Sequence, residues 1–139
     1  MSIRTKQAKF WQMEAMLNLE AQASNTPFVI TCWMRTREEQ EYLVSIGRSK
    51  TLDSKHLEGL AIDIAFLSDI QDDGIINYTP DKYKPLGKYW EQLGGRWGGR
   101  FGESEPGKGD GFNQSVHLIT SICDFSHMLL YTCYYASVK

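Results

Sequence analysis

Ser54-Lys55-His56-Leu57-Glu58-Gly59-Leu60-Ala61-Ile62-Asp63-Ile64 is the stretch on which the fold of this 139-residue chain turns. From Leu60 to Phe66 the residues are apolar except for one carboxylate, Asp63. Such a run predicts a buried strand. A lone carboxylate inside it is costly unless it is paired, hydrogen-bonded or bound to a metal. His56 stands just before the strand, in a segment with Ser54 and Gly59, and is the candidate partner. An imidazole and a carboxylate converging from a turn and a strand are the usual start of a zinc site. The spacing alone also fits a plainer arrangement, in which Asp63 accepts only backbone N–H bonds beside a surface His56.

Upstream, residues 5 to 23 predict a helix. Phe10, Met13 and Leu17 share one face with Lys6, and Trp11, Ala15 and Met16 widen the stripe. Ser24-Asn25-Thr26-Pro27 ends it, and Phe28 to Met34 predicts a strand with Arg35 at its end. Thr36-Arg37-Glu38-Glu39 has capping-box spacing, so a second helix runs from about Arg37 to Ile46 and stops at Gly47. Downstream, Asp72-Asp73-Gly74 predicts a hairpin-like turn with Ile75 to Tyr78 as the return segment. Thr79-Pro80-Asp81 starts a helix, which Pro85 and Gly87 interrupt and a second start carries to Leu93, with Gly94-Gly95 as the stop. Trp97 to Phe101 is a short strand or turn, residues 102 to 111 a mobile loop, and Val116 to Ile122 a last strand. Short strands mixed with separate helices indicate an α+β class: an antiparallel sheet flanked by helices in one domain spanning residues 1 to 139.

Composition narrows the function. A formal net charge of −2 gives no electrostatic footprint for nucleic acid. Arg96, Arg100 and Lys108 are local basic residues that suit an anionic polymer such as a cell wall. No apolar run reaches membrane-span length, and Met1-Ser2-Ile3-Arg4-Thr5-Lys6 lacks the apolar core of a signal peptide. The expectation is a monomer held in the cytoplasm until something else releases it. Cys32, Cys123 and Cys133 have no CxxC spacing and read as free thiols of a reducing compartment.

Ser54-x-His56-x-x-Gly59-x-Ala61-x-Asp63 resembles the signature of the zinc D-alanyl-D-alanine carboxypeptidase and L-alanyl-D-glutamate endopeptidase family, which includes many bacteriophage endolysins. The likeness extends upstream to Ile30-Thr31 and Arg35-Thr36-x-x-Glu39-Gln40, and downstream to Trp97-Gly98-Gly99-Arg100-Phe101, in the family's order. Residues 119 to 139 match nothing in it and form a tail of unassigned structure.

The resemblance implies a zinc site on the sheet, with His56 and Asp63 as ligands. The family's last ligand is a His after the Trp-Gly-Gly segment, which implies His117, preceded by Gly109-Asp110-Gly111-Phe112. The family places an acidic general base three positions before that His. Gln114 stands there, after Asn113, and an amide takes no proton at neutral pH. Asp110 is the expected replacement. Alternatively Asp124-Phe125-Ser126-His127 supplies both the acid and the ligand. The family's arginine in the Arg-Thr segment helps hold a substrate carboxylate or carbonyl, which implies that role for Arg35, and a guanidinium fork suits it. Ser54 is expected to bind substrate, Trp97 to pack under the site, and Glu58, Glu103 and Glu105 to be solvated charges.

The implied activity is zinc-dependent cleavage of peptidoglycan stem peptides, as an endolysin-like L-alanyl-D-glutamate endopeptidase. A D-alanyl-D-alanine carboxypeptidase is the second possibility. Gln114 favours a third, a zinc-containing wall-binding module that has lost its base.

Overall fold

The apolar run forms strand β2 (Ala61–Phe66), and every one of its six residues is buried. The computed structural model describes residues 1–100 and 116–120, with Arg100 and the strand 116–120 described by backbone alone. Strand β2 pairs on one side with β1 (Phe28–Cys32) and on the other with β4 (Val116–Thr120), which in turn pairs with β3 (Gly95–Trp97). The sheet order is β1-β2-β4-β3 and every pair is antiparallel. Helices α1 (Ile3–Ala23), α2 (Arg37–Ser45) and α3 (Pro80–Gln92) complete the α+β fold.

Alternation along β2 divides its residues between two faces. Ile62, Ile64 and Phe66 join Phe10, Met13, Leu17 and Ala21 of α1 and Tyr83, Leu86 and Trp90 of α3 in the hydrophobic core. Phe10 and Trp90 meet edge to face with centroids 5.7 Å apart, fixing α1 against α3. Ala61, Asp63 and Ala65 point to the opposite face, so only small side chains flank the carboxylate along its own strand. The α1 stripe is narrower than expected: it continues to Ala21, while Ala15 is exposed.

Three boundaries differ from the sequence reading for identifiable reasons. Strand β1 ends at Cys32 rather than Met34. Beyond it the Trp33 carbonyl meets the His56 side chain and the Arg35 amide donates to the His56 carbonyl at 3.3 Å, so no ladder continues. Helix α3 is continuous across Pro85. Proline removes one N–H there, and Gly87 is buried against the Trp97 indole, which occupies the space a Cβ would need. After Gly74 (φ 82°) the return segment makes, among the described residues, a single bridge, Ile70 to Ile76, instead of a strand. Elsewhere the expectations hold. Thr36 and Glu39 form a reciprocal capping box on α2, Pro80 is the first residue of α3, and Gly47 and Gly94 follow helix ends with positive φ. The expected last strand is present as β4, Val116–Thr120, and its last two residues, Ile119 and Thr120, open the segment that the family likeness does not reach.

Candidate metal centre

The turn before β2 is built to present one imidazole. Ser54 caps a 3-10 turn, Lys55–Glu58, with its Oγ accepting from the His56 amide at 3.4 Å. Gly59, at φ 64°, ends the turn in the left-handed region that glycine tolerates. Gln7 of α1 donates to the Glu58 carbonyl at 2.8 Å and ties the turn to the body of the molecule. His56 is fully buried as a result. Its Nδ1 lies 2.6 Å from the Trp33 carbonyl and its Nε2 3.4 Å from Asp63 Oδ2. A carbonyl only accepts, so Nδ1 carries the hydrogen, and in the neutral ring Nε2 keeps its lone pair toward Asp63.

Asp63 has a register partner on each side: Cys32 in β1 and His117 in β4. The His117 backbone thus stands directly across from the carboxylate. The Cys32 Sγ lies 3.7 Å from His56 Nδ1 and 3.6 Å from Arg35 Nη2. One donor atom from each of Cys32, His56 and Asp63 falls within 4.8 Å of the others. Arg35 reaches the same place. Its Nη2 is 3.9 Å from Asp63 Oδ2, and its Nη1 donates to Gln40 Oε1 at 2.7 Å. Gln40 is fully buried and spends its amide N–H groups on Ser49 Oγ (2.8 Å) and the Thr51 carbonyl (2.6 Å). It therefore fixes the guanidinium and the loop leading to the Lys55–Glu58 turn together.

The electrostatics follow from these contacts. Burial opposes a charged His56, but the hydrogen bonds to Asp63 and Cys32, the Asp63 charge and the Trp33 carbonyl outweigh it and push the imidazole up to about 9. A cation at Nε2 therefore competes with a proton. The hydrogen bond to His56 is the largest influence on the Cys32 thiol and, against burial, draws it below its ordinary value.

The donor set suits a metal. Donors sharing one tetrahedral zinc, with bonds of about 2.0–2.3 Å, lie roughly 3.3–3.8 Å apart. The 3.4 Å separation of His56 Nε2 and Asp63 Oδ2 falls within that range.

The structure thus brings together His56, Asp63 and Arg35, as the sequence suggested, and places Ser54 as the cap of the turn. Trp97 is buried and closely backed by Gly87 and Gly99. Glu58 pairs with Lys55 at 2.9 Å, with both side chains partly open to solvent. Asp110, Asn113, Gln114, Asp124, His127, Glu103, Glu105, Lys108, Cys123 and Cys133 lie outside the described residues, as does the side chain of His117. Sequence reasoning gave no site role to Cys32 or Gln40. Gln40 had a signal, its place in the Arg35-Thr36-x-x-Glu39-Gln40 segment. Cys32 had none, because its orientation depends on a strand irregularity.

Residues 47–106 match the family model described as D-alanyl-D-alanine carboxypeptidase. That segment contains Ser54, His56, Gly59, Ala61, Asp63 and Trp97-Gly98-Gly99 and supports the family read from them. The fold is similar to that of the Serratia marcescens L-Ala D-Glu endopeptidase ChiX in its crystal structure. The TM-score is 0.50 and the identity 22%, over 69% of this chain and 68% of that one. No curated protein matches the chain.

Proposed function

We propose, with the D-alanyl-D-alanine carboxypeptidase family as the premise, that this chain is a zinc-dependent peptidase cutting the stem peptides of peptidoglycan. The observation that carries the reading is the buried pair His56 Nε2 and Asp63 Oδ2, 3.4 Å apart beside the Arg35 guanidinium. An L-alanyl-D-glutamate endopeptidase is the first assignment, supported by the fold shared with ChiX. A D-alanyl-D-alanine carboxypeptidase is the second, supported by the matched family's description.

In this mechanism His56, Asp63 and His117 hold zinc. When bound, zinc supplies Lewis-acid activation of water and of the scissile carbonyl. The Trp33 carbonyl fixes the His56 ring, and Ser54 and Gly59 fix the turn that carries it. Arg35, oriented by Gln40, offers its remaining N–H donors to a substrate carboxylate or carbonyl and so aligns the peptide. Asp110 takes a proton from the attacking water and returns it to the leaving amine.

The test is direct. Zinc-loaded protein incubated with purified sacculi should release new amine ends. A new glutamyl amine marks the endopeptidase and free D-alanine marks the carboxypeptidase. His56→Ala and Asp63→Ala should each lose most of the bound zinc, and full stoichiometric metal in both would overturn the site. Asp110→Asn should keep zinc and lose about 10² to 10⁴-fold in hydrolysis. Gln114 favours one other reading, a zinc-containing wall-binding module without a base. Retention of the wild-type protein on sacculi with no amine release would select it.

A further inference from the structure

Between Ile30 and Cys32 the pairing of β1 with β2 slips by one residue. Ile30 stands opposite Ile64, but Cys32, not Thr31, stands opposite Asp63. In an unbroken antiparallel ladder Thr31 would face Asp63, and every later residue would lie one position further toward Ala61. One residue of strand is about 3.3 Å, more than a hydrogen bond absorbs. The contacts that follow the slip therefore depend on it. The Trp33 carbonyl lies 2.6 Å from His56 Nδ1, and the Arg35 amide donates to the His56 carbonyl at 3.3 Å. Arg35 Nη2 lies 3.6 Å from Cys32 Sγ and 3.9 Å from Asp63 Oδ2. The extra residue also turns the Cys32 sulfur onto the face that carries the carboxylate. Such bulges re-aim side chains and are frequent beside functional sites.

The side chain of Thr31 reaches across this slip. Its hydroxyl donates to the Asp63 carbonyl at 3.2 Å, the residue that Thr31 would otherwise face. From this register and this contact we propose that Thr31 is a positioning residue of the metal centre. Its hydroxyl pins the bulge to Asp63, and the pinned bulge delivers the Trp33 carbonyl to His56 Nδ1. That carbonyl sets the orientation of the ring and leaves Nε2 beside Asp63 Oδ2, where the ion would be held. Thr31 gives no atom to the ion, so the position for water stays open. The proposal rests on the metal-centre reading above and adds to it a residue that acts only through His56 and Asp63.

The experiment measures the zinc affinity of the full chain, by competition with a chromogenic chelator, for the wild type, Thr31→Val and Thr31→Ser. Valine keeps the branched shape and loses the hydroxyl, whereas serine keeps the hydroxyl and loses the branch. Groups that orient metal ligands are typically worth about 10–100-fold in affinity, and that is the loss expected for Thr31→Val. Thr31→Ser should bind close to wild type. A second readout needs no metal. In the metal-free protein, amide hydrogen exchange at Arg35 should quicken in Thr31→Val, while Ile64, in the ladder before the slip, keeps its protection. Zinc binding by Thr31→Val as tight as wild type, or by Thr31→Ser as weak as Thr31→Val, would overturn the role of the hydroxyl and leave the metal centre standing. Unchanged exchange at Arg35, or an equal loss of protection at Arg35 and Ile64, would do the same, the latter because it marks a general loosening of the sheet. A wild type that binds no zinc would overturn the metal centre and this role with it. If Thr31→Val does not fold, Thr31→Ala set against Thr31→Ser makes the same comparison with the same expected difference.

Discussion

Arg35 is the residue at which a role in the fold and the proposed role toward substrate are easiest to separate. One of its nitrogens is committed to Gln40 at 2.7 Å, and another lies 3.9 Å from Asp63, beyond a strong hydrogen bond. The side chain is 15% exposed, enough to leave part of the fork open to a ligand. Arg35→Lys keeps the charge near Asp63 but replaces a planar fork with a point charge. The expected result is a melting temperature within a few degrees of wild type and a loss of about tenfold or more in stem-peptide turnover, the range for a charge-assisted hydrogen bond. A large fall in melting temperature with unchanged turnover per folded molecule would assign Arg35 to the fold alone. His56 and Asp63 were legible because an imidazole and a buried carboxylate demand an explanation from composition. The partners that orient them, the Trp33 carbonyl and Gln40, were not. One is a backbone atom with no residue signature, and the other is a polar residue buried only because three acceptors and donors converge on it.

At the level of elements, helix α3 shows how a local breaker can be a packing device. Pro85 and Gly87 predicted an interruption, yet the helix runs unbroken from Pro80 to Gln92. One lost backbone hydrogen bond is a small cost when the same helix buries Tyr83, Leu86 and Trp90. Gly87 lets the Trp97 indole lie against the helix backbone. Replacing a helical glycine with alanine ordinarily stabilises by about 0.5–1 kcal/mol. Gly87→Ala should do the opposite, because the methyl group enters the indole. A cost of roughly 1–3 kcal/mol, read as a melting temperature several degrees lower, is expected. A rise in melting temperature would show that the indole moves aside freely. Periodicity carried the strand and helix types here, but the bulge in β1 was invisible to it. One inserted residue in a five-residue strand leaves no pattern to count, yet it decides which face the Cys32 sulfur occupies.

Across the whole molecule, the placement of His117 opposite Asp63 depends on contacts far from both. Beyond the C-terminal end of β2, Asp69 is buried and accepts from Lys82 Nζ (2.9 Å), the Tyr83 hydroxyl (2.9 Å) and the Thr79 amide (3.2 Å). Tyr83 in turn accepts from the Phe66 amide at 2.9 Å. This knot fastens α3 to the strand. The helix holds Trp97, Trp97 ends β3, and β3 pairs with β4, which carries His117 back to Asp63. Burial alone would raise the Asp69 carboxyl, but Lys82, Tyr83 and the Thr79 amide outweigh it and hold it below the usual carboxylate range. A carboxyl with a depressed folded-state value contributes stability that is fully present above its unfolded value, about 3.9, and is lost as pH falls through the folded one. Lys82 is half-exposed, so solvent screens its share of that contribution. Asp69→Asn removes the charge and keeps the shape. The wild type should therefore melt above the variant near neutral pH, and the gap should shrink below about pH 4 and close once Asp69 is protonated. Thermal melts of both proteins between neutral and acidic pH measure it. A gap that stays constant across that range would show that the knot holds through hydrogen-bond geometry and not through the charge of Asp69.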